Sequence, residues 1–199
     1  MDYKDLSETI IGLKNADLEL RDKLVRKGQL GKGYSEEMAA LHNRNAKLLD
    51  EIMDRIGYPT SDKVGKRASE AAWLVIQHSI GQPGFMKRSA KLLESAVRED
   101  KADPINLAYL TDRIAVLEGK LQLYGTQFDW DENGEMSPSP IDDMVKVNGR
   151  RKSIGLKPLE EQTRIMRRRM ESENQLPPTD LEKRERQYDE WRASVGWIK

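Results

Sequence analysis

The stretch EAAWLVIQH, residues 70 to 78, sets a Glu, a Gln and a His within a largely apolar run. On a helix Glu70 and Gln77, seven residues apart, share a face, with Trp73 and Leu74 between them on that side. A polar group buried there needs a partner, which either a ligand or the protein itself can supply. Imidazole is the side chain whose unperturbed titration falls near neutrality, so His78 is the candidate catalytic acid or base. The alternative is a structural histidine bonded to a backbone carbonyl near the helix end.

A second phrase, LQLYGTQF at 121 to 128, carries complementary groups: the Tyr124 and Thr126 hydroxyls and the Gln122 and Gln127 amides. Gly125 permits a tight turn or a close backbone approach. Neutral donors and acceptors of this kind suit a polar organic ligand better than a hard metal ion; the same residues could instead cap a helical core. Asp112 and Arg113 interrupt an apolar helical pattern, and Arg113 could anchor an anion or pair with a carboxylate. Arg150 and Arg151, in NGRRKS, form an anion-binding patch without the glycine spacing of a phosphate loop. The four arginines of RIMRRRM, 164 to 170, lack interleaved aromatics for stacking on RNA, and a solvated helix face is their other reading. The ligand-binding candidates are therefore Glu70, Trp73, Gln77, Asp112, Arg113, Tyr124, Gln127, Arg150 and Arg151. Gln77, His78, Arg113, Tyr124 and Gln127 are expected to converge on one polar cleft.

No HExxH, GxSxG, Walker or GxGxxG sequence is present. The 199-residue chain has no cysteine and only two histidines, His42 and His78. Disulfides, thiol catalysis and a three-histidine metal centre are thus excluded, and neither a metal nor another cofactor is expected.

The elements that position these residues are helical. The chain is 37% hydrophobic and 34% charged, which suits long amphipathic helices with charged outer faces. Leu6, Ile10, Leu13, Leu20 and Leu24 mark a first helix ending near Gly28, and GQLGKGYS then breaks the chain. Ser35 starts a second helix with the stripe Met38, Leu41, Leu48, Leu49, Ile52 and Ile56, stopped by Gly57-Tyr58-Pro59. Residues 62 to 79 read as one central helix, and Phe85 to Val97 as the next. Asp103 and Pro104 open a helix through Leu107, Leu110, Ile114 and Leu117 that ends before Gly119. DENG at 131 to 134 suggests a small hairpin within 121 to 139. Three helices follow near 142 to 154, 158 to 173 and 180 to 193, the last opened by a Thr179–Glu182 capping box.

Balanced charge, 34 basic against 34 acidic residues, argues against nucleic acid and anionic membrane. The basic excess is local: residues 144 to 199 hold 14 basic and 9 acidic side chains. The longest uncharged run, Ala71 to Met86, is too short and polar to span a bilayer. The N-terminus has no basic start before an apolar stretch, so a cytoplasmic protein is expected.

The motifs GYP (57 to 59), VGKRASEAAWLVIQH (64 to 78), LAYLTDRI (107 to 114), GKLQLYGTQF (119 to 128), PID (140 to 142) and RRKSIGLKPL (150 to 159) resemble, in this order, a bacterial family of unknown function. Its members carry Gly-Trp-Pro, WLxxQH, YLxDR, YGTQ and RRxxxGLxPL. Tyr58 stands here for the usual Trp, and Leu121 where a Pro often precedes the glutamine. The resemblance covers about 45 to 160, leaving roughly the first and last 35 residues outside. It implies a helical fold and a shared site but brings no activity.

The expected architecture is a mostly α, compact bundle of seven or eight helices with an irregular loop or small hairpin near 121 to 139. It divides into an N-terminal helical arm (1–34), a helical core (35–160) and a C-terminal helical arm (161–199). Two functions compete: a small polar or anionic molecule bound between the WLVIQH helix and the YGTQF segment, with or without catalysis, or a structural module. In the second, Leu181, Tyr188, Trp191 and Trp197 of the terminal helices dock on a protein partner or a second copy.

Overall fold

The computed structural model describes residues 3–28 and 35–199. Most of the expected GQLGKGYS break lies outside the described residues. Nine helices and one two-stranded antiparallel sheet occur among those described, so the fold is mostly α. The chain forms two compact units, Met1–Asp103 and Pro104–Lys199. Of the expected arms, the first contributes its helix to the first unit and the second lies within the second.

The first unit holds α1 (Tyr3–Arg26), α2 (Glu36–Ile56), α3 (Ser61–Val64), α4 (Lys66–His78) and α5 (Pro83–Arg98). Helix α4 is central in it, packing against each of the other four. Its buried face is mostly small, Ala68, Ala71, Ala72, Val75 and Ile76, which lets neighbouring backbones come close. Helix α1 presents Leu6, Ile10, Leu13, Asp17 and Leu24 to this core. Helix α2, capped by the Ser35 hydroxyl accepting from Met38 N, presents Met38, Leu41, His42, Asn45, Ala46, Leu49, Ile52 and Met53. Leu48, placed on that stripe from the sequence, is exposed instead.

The single helix expected over 62 to 79 is two. Gly65 stands at φ +78°, left-handed geometry that an α-helix cannot pass through, so α3 ends there and α4 begins. That break brings the number to nine rather than seven or eight.

The second unit contains α6 (Pro104–Leu117), β1 (Phe128–Trp130), β2 (Met136–Pro138), α7 (Met144–Ser153), α8 (Leu159–Ser172) and α9 (Leu181–Val195). Phe128 pairs with Pro138 and Trp130 with Met136 across the hairpin. Asp131 closes its turn, accepting from Asn133 N, Glu135 N and Ser137 Oγ. Helix α8 packs on β2 and on α7. The start of α9 lies one residue beyond the expected box: Asp180 is the N-cap and accepts from Lys183 N, because a carboxylate at that position reaches the free N–H groups of the first turn. Among the described residues no helix is long and apolar enough to cross a membrane.

Candidate functional site

Three helices of the first unit each bring a polar residue to one place beside their apolar faces, and the three meet. Asp17 sits four residues after Leu13 on α1, His42 follows Leu41 on α2, and His78 is the last residue of α4. Nδ1 of His78 lies 2.7 Å from Asp17 Oδ2, and Nε2 of His42 lies 3.3 Å from the same oxygen. The rings stand 5.4 Å apart, tilted by 44°. Nearby, Asn45 Nδ2 donates to Leu13 O at 3.0 Å, tying α2 to α1 next to the cluster.

Asp17 and His42 are enclosed, their side chains 1% and 7% exposed, whereas that of His78 is 29% exposed and reaches solvent. Burial alone would raise the Asp17 carboxyl. The hydrogen bonds and charges of His42 and His78 outweigh it and hold the group well below the usual carboxylate range. An ionised Asp17 oxygen can only accept, so the 2.7 Å contact places the proton of that hydrogen bond on His78 Nδ1. Its other oxygen, Oδ1, is buried without a hydrogen-bond partner among the described residues. Two imidazole nitrogens and a carboxylate at this spacing can organise protons around a polar molecule or hold a cation.

Six expected ligand-binding residues gather in the second unit around 121 to 128, and they bond to one another and to the chain. Asp112, fully buried, takes the N–H groups of Leu123, Tyr124 and Thr126 and the Thr126 hydroxyl at 2.9 to 3.2 Å. The carbonyl side is held by two arginines: Arg150 donates to Leu123 O, and Arg151 donates to Tyr124 O and Gly125 O. Arg113 Nε donates to Gln127 Oε1 at 3.2 Å. Fully buried Gln122 completes the set, its amide bonded to Gln127 N, Gln127 O and Ser139 O. Burial pushes the Asp112 carboxyl up against the pull of these donors. The short uncharged phrase is thus a loop whose backbone is bonded on both sides by buried charged side chains.

Of the remaining candidates, Glu70 is exposed with Lys66 Nζ 3.9 Å away, Trp73 is half-buried, and Gln77 is buried on α4. The expected cleft joins residues of different units: Gln77 and His78 belong to the first, Arg113, Tyr124 and Gln127 to the second. A cavity of about 540 Å³ lies in the second unit between Trp130, Met136, Arg167, Met170, Leu176 and Pro177, and it includes none of the expected site residues.

Sequence reasoning missed Asp17 and passed over His42 as a site residue. Their signal was present: the leucine stripe of the first helix has a gap between Leu13 and Leu20, and Asp17 fills it at the helical spacing of four. His42 and Asn45 fill the gap between Leu41 and Leu48 in the same way.

A family model described as a family of unknown function (DUF6624) matches residues 4–171. The match reaches further toward the N-terminus than the motif resemblance, taking in Asp17 and His42 as well as His78. No curated protein and no solved structure matches the chain.

Proposed function

The chain belongs to DUF6624, a family of unknown function, and from its own geometry we propose that it binds a small polar or anionic molecule at the Asp17–His42–His78 cluster. One observation carries this reading: a fully buried carboxylate holds both histidines of the chain on one oxygen and leaves the other without a partner. Burying such groups is costly, and apolar residues of similar volume are often at least as stabilising. A half-exposed His78 at the end of α4 is the point of access. The WLVIQH helix keeps its expected role as carrier of His78. The polar groups of the YGTQF segment are engaged within the second unit.

A thermal-shift screen of small carboxylates, phosphates and amines tests this on wild type and His78→Gln. A ligand at a hundredfold excess over its Kd stabilises by about 2.7 kcal/mol, a shift of several degrees. Compounds that raise the wild-type Tm and not that of His78→Gln are expected. A wild type that no compound stabilises, or equal shifts in both proteins, would overturn the reading.

A protein-interaction role is favoured by a separate observation: no residue of α9 is fully buried, and exposed Tyr188 stacks on half-buried Trp191 at 5.8 Å. Docking of a second copy there would give a dimer mass in sedimentation equilibrium that Trp191→Ala lowers. A monomer mass at all concentrations removes the homodimer.

A further inference from the structure

We propose that Asp17, His42 and His78 bind one divalent transition-metal ion of the zinc or iron(II) class, with a coordination position left open beside His78. This rests on the cluster being the functional centre, and it names what occupies it: an ion whose open position receives the polar or anionic molecule.

The donor set comes first. Two neutral imidazoles and one carboxylate suit zinc and first-row transition ions, whereas magnesium and calcium require mostly oxygen; the proton that His78 Nδ1 shares with Asp17 in the metal-free protein would move to the other ring nitrogen, freeing the facing lone pair for the ion. One ligand atom from each of Asp17, His42 and His78 lies within 4.8 Å of those of the other two. Two ligands about 2.0 to 2.1 Å from a tetrahedral ion are about 3.3 Å apart. The Asp17–His42 separation, 3.3 Å, already has that value, and the Asp17–His78 separation, 2.7 Å, needs only a small opening. His78 is the last residue of its helix and partly exposed, so it is the ligand free to make that adjustment.

The free donor atoms agree. Asp17 Oδ1, buried without a hydrogen-bond partner among the described residues, can give a second carboxylate bond to the ion or accept from a metal-bound water. One carboxylate oxygen can accept from two donors, but here two imidazoles from two different helices converge on Asp17 Oδ2 while Oδ1 stays without a partner, an uneven arrangement that a cation explains. Three protein ligands leave a fourth position for water or an anionic group, the pattern of catalytic rather than structural zinc sites. The ligands come from three mutually packed helices of one unit, so the site depends on no contact outside it.

The test uses the full chain, stripped of metal with a chelator and titrated calorimetrically with Zn2+ and with Co2+, the latter also followed by its visible ligand-field absorption. One equivalent per chain at micromolar Kd or tighter is expected, with Mg2+ giving no heat. His42→Ala, His78→Ala and Asp17→Asn should each weaken Zn2+ binding at least 100-fold. Because Asp17 and His42 are buried, circular dichroism accompanies each variant, and half-exposed His78→Ala is the decisive one if the others unfold. Absence of binding by wild type, or a folded His78→Ala that binds undiminished, overturns the inference. Small molecules that stabilise wild type through His78, together with no binding of Zn2+ or Co2+, would sink the metal site and leave the proposed function standing. Metal binding without any stabilising small molecule would do the reverse.

Discussion

A buried carboxylate persists only where donors surround it, and the two fully buried ones among the described residues, Asp17 and Asp112, are treated differently. Asp112 is satisfied on both oxygens by three backbone N–H groups and a hydroxyl, so its role is to fold the 123–126 loop. Asp112→Ala would leave several buried N–H groups unpaired, at about 1 to 3 kcal/mol each. Urea unfolding of the full chain should show a loss of roughly 3 kcal/mol or more. Asp17, by contrast, uses one oxygen, shared by two imidazoles. Its carboxyl is held below the ordinary aspartate value, so its ionisation stabilises the fold above about pH 4. That stabilisation is lost as pH falls below the ordinary value toward the depressed one. Melting curves of metal-free protein from pH 7 to 3 should therefore show Asp17→Asn starting less stable but losing less over the acid limb than wild type.

Turns and helix boundaries set where these residues land. Gly65 and Gly125 both stand at positive φ, +78° and +61°, yet their surroundings differ. A Cβ at Gly65 would meet nothing within 4 Å, so Gly65→Ala carries backbone strain alone, about 1 to 3 kcal/mol. At Gly125 it would come within 2.9 Å of both Leu159 methyls, and Gly125→Ala should cost about 2 to 4 kcal/mol. Adding Leu159→Ala to that variant should recover part of the overlap cost, less the cavity left behind; chemical denaturation of the four proteins measures it. Such boundaries were largely legible in the sequence, since Pro104, Gly57 and the Ser35 cap act within one turn of where they sit. Helix faces were less so: reading only apolar side chains put Leu48 inside and overlooked His42 and Asn45, because a polar residue on a buried stripe looks like a break in the pattern.

At the scale of the molecule, zero net charge hides local pairing. Arg167 of the basic α8 donates to Met136 O and Ser137 Oγ and pairs with Glu135, and Arg169 pairs with Glu173, so part of that face is neutralised within the chain. The first unit has its own apolar core and all three members of the Asp17 cluster. Residues 1–103 expressed alone are therefore expected to be helical and to unfold cooperatively, as far-ultraviolet circular dichroism would record; a chain without a thermal transition would show that they need the rest. The sequence by itself determined the mostly helical class, the order and approximate ends of the helices, the hairpin and the polar character of the 121 to 128 loop. These follow from periodicity, caps and turn residues, which act over a few positions. Only the tertiary structure decided that Asp17 meets a histidine 61 residues away, and that Asp112 and Arg151 close on the two sides of one loop. Those meetings depend on which helix faces pack together, and packing is a property of the assembled core that no local preference contains.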